Sequence, residues 1–301
     1  MRRALKAFRI ALEAFYRFLS DDGWAIASHI ALSALMALFP FLIVITALAG
    51  VFGSRHLADQ AAELLLETWP SQVADPLAGE IHNVLTQPHG GVLTLGAVLA
   101  LYFASNGIES LRVGLNRAYG VVEQRSWYLL RLESIGYTMV AAVTALAMAF
   151  LIVLGPLLIA TARRYVPLLV ASNEELLTFL RYGVTVAALT VALVILHKWL
   201  PAGTRRLRDI WPGIAVTMLG SLASGAVFGK YLERFASNYV TTYAGLASAM
   251  IALVFLYFIA AIFVYGGEIN AAILRARHQQ PDAAAASPAS PQAAPPPAHA
   301  G

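Results

Sequence analysis

Six long stretches of this sequence contain almost no charged side chains. They cover residues 25–52, 92–108, 134–162, 176–196, 210–229 and 243–267. A helix needs about 20 apolar residues to cross a membrane, with a range of about 17–25. The stretches do not alternate between apolar and polar residues, as membrane strands would. The sequence therefore predicts an all-α polytopic membrane protein with six transmembrane helices.

The amino-acid composition excludes an ordinary soluble protein. Hydrophobic residues make up 59% of the 301 residues and charged residues only 13%, about half the ~25% that is usual in soluble domains. Such a chain has too few polar groups to cover the surface of a soluble fold. It also contains no cysteine, which excludes a disulfide framework, a thiolate metal site and a cysteine nucleophile.

The distribution of positive charge predicts the orientation in the membrane. Fifteen of the 21 Lys and Arg residues lie in the N-terminal segment, in the segments after the second and fourth stretches, and in the C-terminal segment. Cytoplasmic segments of membrane proteins carry such an excess. Both termini are therefore expected in the cytoplasm, with the chain in a bacterial inner membrane. Because this signal accounts for the net charge of +4, no nucleic-acid partner is expected.

The apolar stretches divide the chain into three parts. Residues 1–23 are predicted to form an amphipathic helix in the cytoplasmic membrane interface, because apolar and basic side chains lie on opposite faces. Residues 24–275 form the six-helix domain, with a long outer loop at 54–91. Residues 276–301, rich in Ala and Pro, are predicted to be a disordered cytoplasmic tail. The apolar face of the first helix consists of Leu5, Phe8, Leu12, Phe15 and Leu19.

Four polar residues share one helical face where the second stretch ends. Ionisable groups at membrane depth are costly and usually face a bundle interior or a cavity. The group therefore has two interpretations: a polar lining at the cytoplasmic mouth of a pathway, or a polar clamp between helices. In either case Glu109 and Arg112 are close enough to pair within the helix. The four residues, at spacings of 3, 3 and 4, are Asn106, Glu109, Arg112 and Asn116.

Three further polar residues are candidates for functional or structural roles. Glu268 follows the sixth stretch, where it would either carry protons or pair with Arg112 or Arg117. Asn270 lies two residues further on and faces elsewhere. His29 lies one turn inside the first stretch and is either a proton relay or a hydrogen-bonded structural residue.

Small residues indicate where helices approach one another. In the sixth stretch Gly266 and Gly267 would let a neighbouring helix come close. In the fifth stretch small residues recur every four positions, which predicts a helix-packing face. These residues are Thr217, Ser221, Gly225 and Gly229.

The common catalytic motifs are missing from the sequence. It contains no GxSxG nucleophile elbow, no P-loop, no HExxH and no GxGxxG. His56, His82 and His89 in the outer loop lack the spacing of metal ligands. We therefore expect no enzymatic activity, no metal and no cofactor.

Three sequence blocks resemble a known family. They are HIALSALMALFPFLIVITALAG at 29–50, LRVGLNRAYG at 111–120, and LPAGTRRLRDIWPG at 200–213, which continues to YGGEINAAI at 265–273. In this order they resemble the YihY/BrkB family of bacterial inner-membrane proteins, over about residues 20–275. The resemblance implies a six-helix inner-membrane protein without a defined activity. Members of that family have been labelled ribonuclease BN, and others are associated with serum resistance or envelope lipid handling.

The leading hypothesis is a transporter or an envelope lipid-handling protein. Its partners would be membrane lipids, with a lipid or amphiphile as substrate, and the polar face together with Glu268 and His29 would line a cavity. The alternative is a structural or scaffolding membrane protein without transport, in which the same groups are clamps. A ribonuclease is disfavoured because the sequence has no metal-binding cluster. No oligomeric state is predicted.

Overall fold

The computed structural model describes residues 2–51, 90–149, 174–243 and 246–285. Within these ranges the protein consists of helices, and no strand occurs there. This confirms the all-α prediction. We number the helices α1 Arg2–Ser20, α2 Gly23–Val51, α3 Gly90–Tyr119, α4 Trp127–Ala149, α5 Glu174–Trp199, α6 Leu207–Tyr243 and α7 Ala247–Ala285.

Three of the described helices are long and apolar enough to cross a membrane. They are Phe179–Trp199 in α5, Leu207–Phe235 in α6 and Ala249–Arg277 in α7. The shortest has 21 residues, which at 1.5 Å per residue spans about 31 Å, close to the ~30 Å of a bilayer core. The other three predicted spans correspond to α2, α3 and α4, of which α2 has a shorter apolar part, Gly23–Leu38. Their crossing of the membrane remains a prediction.

Helix α7 is the centre of the helix packing. It contacts α1, α2, α3 and α6, while α2 packs along α3, and α4 contacts both α3 and α5. Large buried side chains from three helices meet at the end of the bundle where α1 joins α2. They include Leu115 on α3, Ile210 and Ile214 on α6, and Val264 on α7. This well-packed end also carries most of the polar residues singled out above.

Helix α1 packs on the bundle with one face, while its predicted apolar stripe on another face stays exposed. Ala14 and Phe18 are buried, and the Tyr265 hydroxyl of α7 donates to the carbonyl oxygen of Ala11 at 3.0 Å. The turn to α2 is tight, with Asp22 at φ 58°, a left-handed conformation that Asp tolerates better than most residues. The exposed stripe is the predicted set Leu5, Phe8, Leu12, Phe15 and Leu19.

The predicted start of the disordered tail differs from the structure. The tail was expected from residue 276, yet α7 continues as a helix to Ala285. Residues 276–280, ARHQQ, contain no Pro or Gly, so a helix that tertiary packing has already nucleated continues through them and takes in Pro281 as well. The rest of the predicted tail, like most of the outer loop at 54–91, lies outside the described residues.

Helices α6 and α7 cross closely at Gly213 and Gly266. A Cβ atom at Gly213 would lie 2.1 Å from the carbonyl oxygen of Gly266, and one at Gly266 would lie 2.2 Å from the Thr217 hydroxyl. Thr217, the first residue of the predicted packing face, is therefore buried at the crossing, and the second, Ser221, is half-buried. At Gly225 and Gly229 a Cβ atom would meet nothing within 4 Å, so the close approach occupies only the N-terminal part of the face.

Candidate functional site

The polar face of α3 is bound by α4. The Arg131 guanidinium donates to Asn106 Oδ1 at 2.7 Å and to Glu109 Oε2 at 3.1 Å. Arg112, only 2% exposed, donates to the Leu130 carbonyl oxygen at 3.0 Å. The Glu109–Arg112 pair predicted within the helix is present, with a distance of 3.5 Å. These contacts form a polar clamp, because each charged group meets a partner on the neighbouring helix or one turn away.

Asn116 extends the clamp to two loops. Its Nδ2 donates to Glu123 Oε2 at 3.1 Å, and its Oδ1 accepts from the backbone N–H of Ala202 at 2.7 Å. Arg125 bridges the Glu123 and Glu133 carboxylates, at 2.7 and 2.6 Å. The Asn116 amide thus ties the end of α3 to the segment before α4 and to the segment between α5 and α6.

The pKa of Glu123 is lowered by its neighbours. Side-chain hydrogen bonds from Arg125 are the largest cause, and the backbone N–H of Arg125 and the amide of Asn116 contribute in the same direction. Together they lower the pKa from 4.5 to about 2, although desolvation of the carboxylate acts in the opposite direction. Glu123 lies in the segment between α3 and α4, outside the predicted spans. The folded state therefore favours the ionised carboxylate.

This pKa shift predicts an acid-dependent loss of stability. Because the folded pKa is depressed, the stabilisation is complete above about pH 5 and is lost as the pH falls from about 4.5 towards 2. We expect Glu123→Gln to lower the free energy of unfolding by about 1–2 kcal/mol at pH 7, a figure reduced for partial exposure. Thermal unfolding in detergent at pH 7, 4 and 3 measures it. If the difference in unfolding temperature between wild type and Glu123→Gln does not decrease on acidification, the prediction is contradicted.

A polar cleft lies between the first turns of α2 and the last turns of α3. It has a volume of about 300 Å³ and is lined by Asp22, His29, Glu109, Ser110 and Arg117, among others. Arg117 Nη1 lies 2.8 Å from Asp22 Oδ2, and His29 Nδ1 lies 2.6 Å from the Ser110 hydroxyl. The cleft presents charges of both signs, and its charged side chains are partly exposed.

An apolar cavity of about 690 Å³ lies further along the same helices, between α2, α3 and α4. Its volume is within the ~300–1,000 Å³ range of small-molecule binding sites. The lining is almost wholly apolar, and seven of its 16 residues have small side chains, which leave the space open. The small residues are Ala34, Ala37, Ala97, Ala100, Ala104, Gly107 and Ala142.

Glu268 and Asn270 belong to a separate cluster on α7. Glu268, 1% exposed, lies 3.8 Å from Arg275 Nη2 on its own helix. The predicted pairing with Arg112 or Arg117 was therefore wrong: Arg112 is bound by α4, and Arg117 by Asp22. The amide of Asn270 points to α6 instead and accepts from the Gly213 N–H at 2.6 Å.

The structure thus distributes the predicted site residues over three places. His29, Glu109 and Arg117 line the polar cleft. The clamp contains Asn106, Arg112 and Asn116. The α7 contacts contain Glu268 and Asn270, which line neither cavity.

Sequence reasoning missed Asp22, Ser110 and Arg131. In the sequence Arg131 is only one of the fifteen positive charges that predict the orientation, and no spacing along the chain connects it to α3. In the part of the chain that the structure describes, no three His, Asp or Glu side chains converge as metal ligands.

Long apolar helices joined by buried polar contacts define a helical integral membrane protein. The sequence model of a family described as virulence factor BrkB matches residues 14–291, nearly the whole chain. The protein belongs to the BrkB family, which confirms the resemblance read from the three sequence blocks.

Two curated relatives support this membership. The chain is 29% identical over 272 residues to the ribonuclease-like protein YfkH of Bacillus subtilis, covering 90% of this chain and 96% of that protein. It is 27% identical over 273 residues to a UPF0761 membrane protein of Rhodospirillum centenum, covering 89% of this chain but only 58% of that protein. No solved structure matches the chain.

Proposed function

We propose that the protein binds a membrane lipid or related amphiphile between α2, α3 and α4 and moves it within or across the bacterial inner membrane. The observation that carries the proposal is the apolar cavity of about 690 Å³. A polar cleft on the same two helices accompanies it. An amphiphile needs both environments, one for its chain and one for its headgroup.

The lining of the apolar cavity supports an acyl chain as ligand. Its polar groups are few, so a hydrated ion or a sugar would lose hydrogen bonds on entering. An acyl chain loses none, and it gains contacts with the alanine side chains and with Phe41 and Met139. The cavity is also near the predicted bilayer, from which a lipid can enter sideways.

We place the protein in the membrane with six spans and both termini in the cytoplasm. The apolar stretches predict the six spans, and the distribution of positive charge predicts the orientation. In this orientation α1 lies in the cytoplasmic interface, with its exposed apolar stripe in the headgroup region. The polar cleft then opens at the cytoplasmic end of the bundle, next to the α1–α2 turn.

Filling the apolar cavity tests the function. Ala104→Phe adds a ring at the cavity wall, and we expect lipid movement to fall about tenfold or more because the chain and the ring compete for one space. The measurement is the rate at which a fluorescent phospholipid changes leaflets in liposomes that contain the purified protein. Ala223→Phe is the matched control, because Ala223 is exposed on α6 and lines neither cavity.

A structural membrane protein without transport is the second candidate. The clamp between α3 and α4 favours it, because Arg112, Arg131 and Asn116 all bind protein groups. In that case Ala104→Phe would leave function intact and change only stability. Equal lipid movement in wild type, in Ala104→Phe and in protein-free liposomes would favour this candidate. The absence of enzymatic activity remains a prediction, although one relative carries a ribonuclease-like name.

A further inference from the structure

We propose that the polar cleft selects a zwitterionic phospholipid headgroup, one that carries a phosphodiester and a primary ammonium group. Arg117 would bind the phosphate, and Asp22 and Glu109 would bind the ammonium. The inference rests on the proposed lipid-handling function and names the class of lipid that this function would use.

Both charge signs are present in one small cleft. The lining of the ~300 Å³ space contains the carboxylates of Asp22 and Glu109 and the guanidinium of Arg117. A purely anionic headgroup would be attracted by Arg117 but would also face two carboxylates. A headgroup with both signs matches all three groups, and charge-assisted hydrogen bonds are the strong ones.

The exposed Asp22–Arg117 pair can exchange its partners for lipid groups. Its side chains are 68% and 48% exposed, respectively. An ion pair this exposed contributes little to stability, so exchanging each partner for a lipid group costs little. Arg117 also reaches the carbonyl oxygen of Asp21 at 3.3 Å, which keeps the guanidinium at the cleft when Asp22 turns to the ammonium.

Glu109 is anchored at the wall of the cleft by two arginines. Arg131 and Arg112 hold its two carboxylate oxygens at 3.1 and 3.5 Å. The carboxylate therefore stays at the wall of the cleft in a fixed position, where it presents acceptor lone pairs to a ligand. A prepositioned acceptor lowers the entropic cost of binding a headgroup.

His29 and Ser110 add further polar groups beside these charges. His29 Nδ1 lies 2.6 Å from the Ser110 hydroxyl, and that hydroxyl lies 3.0 Å from the Asn106 carbonyl oxygen. Both residues line the cleft next to the carboxylates that would bind the ammonium.

The cleft and the apolar cavity share the helix pair α2 and α3. On α2, His29 lines the cleft and the next residue, Ile30, lines the apolar cavity. On α3, Glu109 lines the cleft and Ile108 lines the cavity. Neighbouring positions of the same two helices thus line a polar and an apolar space, the two environments that a phospholipid requires.

Binding of two lipids with identical acyl chains tests the inference. We expect the purified full chain to bind phosphatidylethanolamine about tenfold more tightly than phosphatidylglycerol, as measured by native mass spectrometry from detergent. Asp22→Asn is expected to reduce that preference to about twofold or less, since it removes a charge-assisted bond to the ammonium. Asparagine also tolerates the left-handed backbone at this position, so the turn is preserved.

Two further variants test phosphate binding by Arg117 and provide a control. Arg117→Gln is expected to weaken the binding of both lipids by about tenfold, since both carry a phosphodiester. Glu133→Gln, which removes a carboxylate partner of Arg125 away from the cleft, should leave the preference unchanged. A wild type without headgroup preference, or a preference unaffected by Asp22→Asn, would overturn the inference.

The experiment distinguishes this inference from the proposed function. If lipids bind and move but without headgroup preference, only the zwitterion assignment fails. If neither lipid binds and Ala104→Phe changes nothing, the lipid-handling function itself fails. Free phosphoethanolamine serves as a competitor, and binding as tight as that of the lipid would overturn the assignment to a lipid in favour of a soluble ligand.

Discussion

Replacing Gly213 by alanine is expected to lower the free energy of unfolding by about 3 kcal/mol or more. The new Cβ atom would lie 2.1 Å from the carbonyl oxygen of Gly266 and 2.4 Å from Asn270 Nδ2. A backbone carbonyl cannot rotate away as a flexible side chain does, so α6 and α7 must separate. Separation also breaks the 2.6 Å hydrogen bond from the Gly213 N–H to Asn270.

Gly225→Ala is the matched control on the same helix. A Cβ atom there meets nothing within 4 Å, so the only effect expected is the higher helix propensity of alanine, a gain of about 0.5–1 kcal/mol. Thermal unfolding of both purified variants in one detergent makes the comparison. Equal stability of Gly213→Ala and wild type would show that the helices do not cross this closely.

The helices of this protein could be predicted because their signal is local. Each apolar stretch must satisfy its backbone groups internally, and a helix does so with its own residues. The periodicity of residues 1–23 predicted an amphipathic helix there, and the helix is Arg2–Ser20. The end of α7 could not be located in this way, because residues 276–285 contain both helix-favouring Ala residues and the helix breaker Pro281, and so fit a tail as well as a helix.

The partners within a helix could be predicted, while those between helices could not. The spacing of three residues correctly paired Glu109 with Arg112. The pairing of Arg131 with Asn106 depends on how α4 is rotated against α3, and no sequence spacing encodes that rotation. Arg275 was within reach of sequence reasoning, since a residue seven positions after Glu268 lies on the same helical face.

Packing faces and cavities depend on the neighbouring helix. The stripe from Thr217 to Gly229 has the right spacing for a contact, but α7 crosses α6 at its beginning, near Gly213. The apolar cavity arises from small side chains on three different helices. Each of these alanines is ordinary within its own helix, so the empty space becomes visible only when the helices are assembled.

The second large effect is expected from Arg112→Met, with a loss of about 3 kcal/mol in the free energy of unfolding. Arg112 is 2% exposed and donates to the Leu130 carbonyl oxygen and to the Ser134 hydroxyl at 3.0 and 3.1 Å. Methionine fills most of the volume but donates no hydrogen bond, and Glu109 loses one of its two cationic partners. The remaining bond from Arg131 to Glu109 limits the loss.

Arg117→Met on the same helix provides the comparison. Its pair with Asp22 is exposed on both sides, so we expect a loss below about 1 kcal/mol. Two measurements decide whether the polar face is a clamp or a pathway lining. They are the denaturant unfolding of both variants and the rate at which Arg112→Met moves lipid. A clamp requires that Arg112→Met unfolds more readily and that the folded fraction still moves lipid at the wild-type rate. A pathway lining requires the opposite result, unchanged stability with a reduced rate of lipid movement. Removing a side chain that faces water costs the protein little stability, but it removes the contact with the substrate.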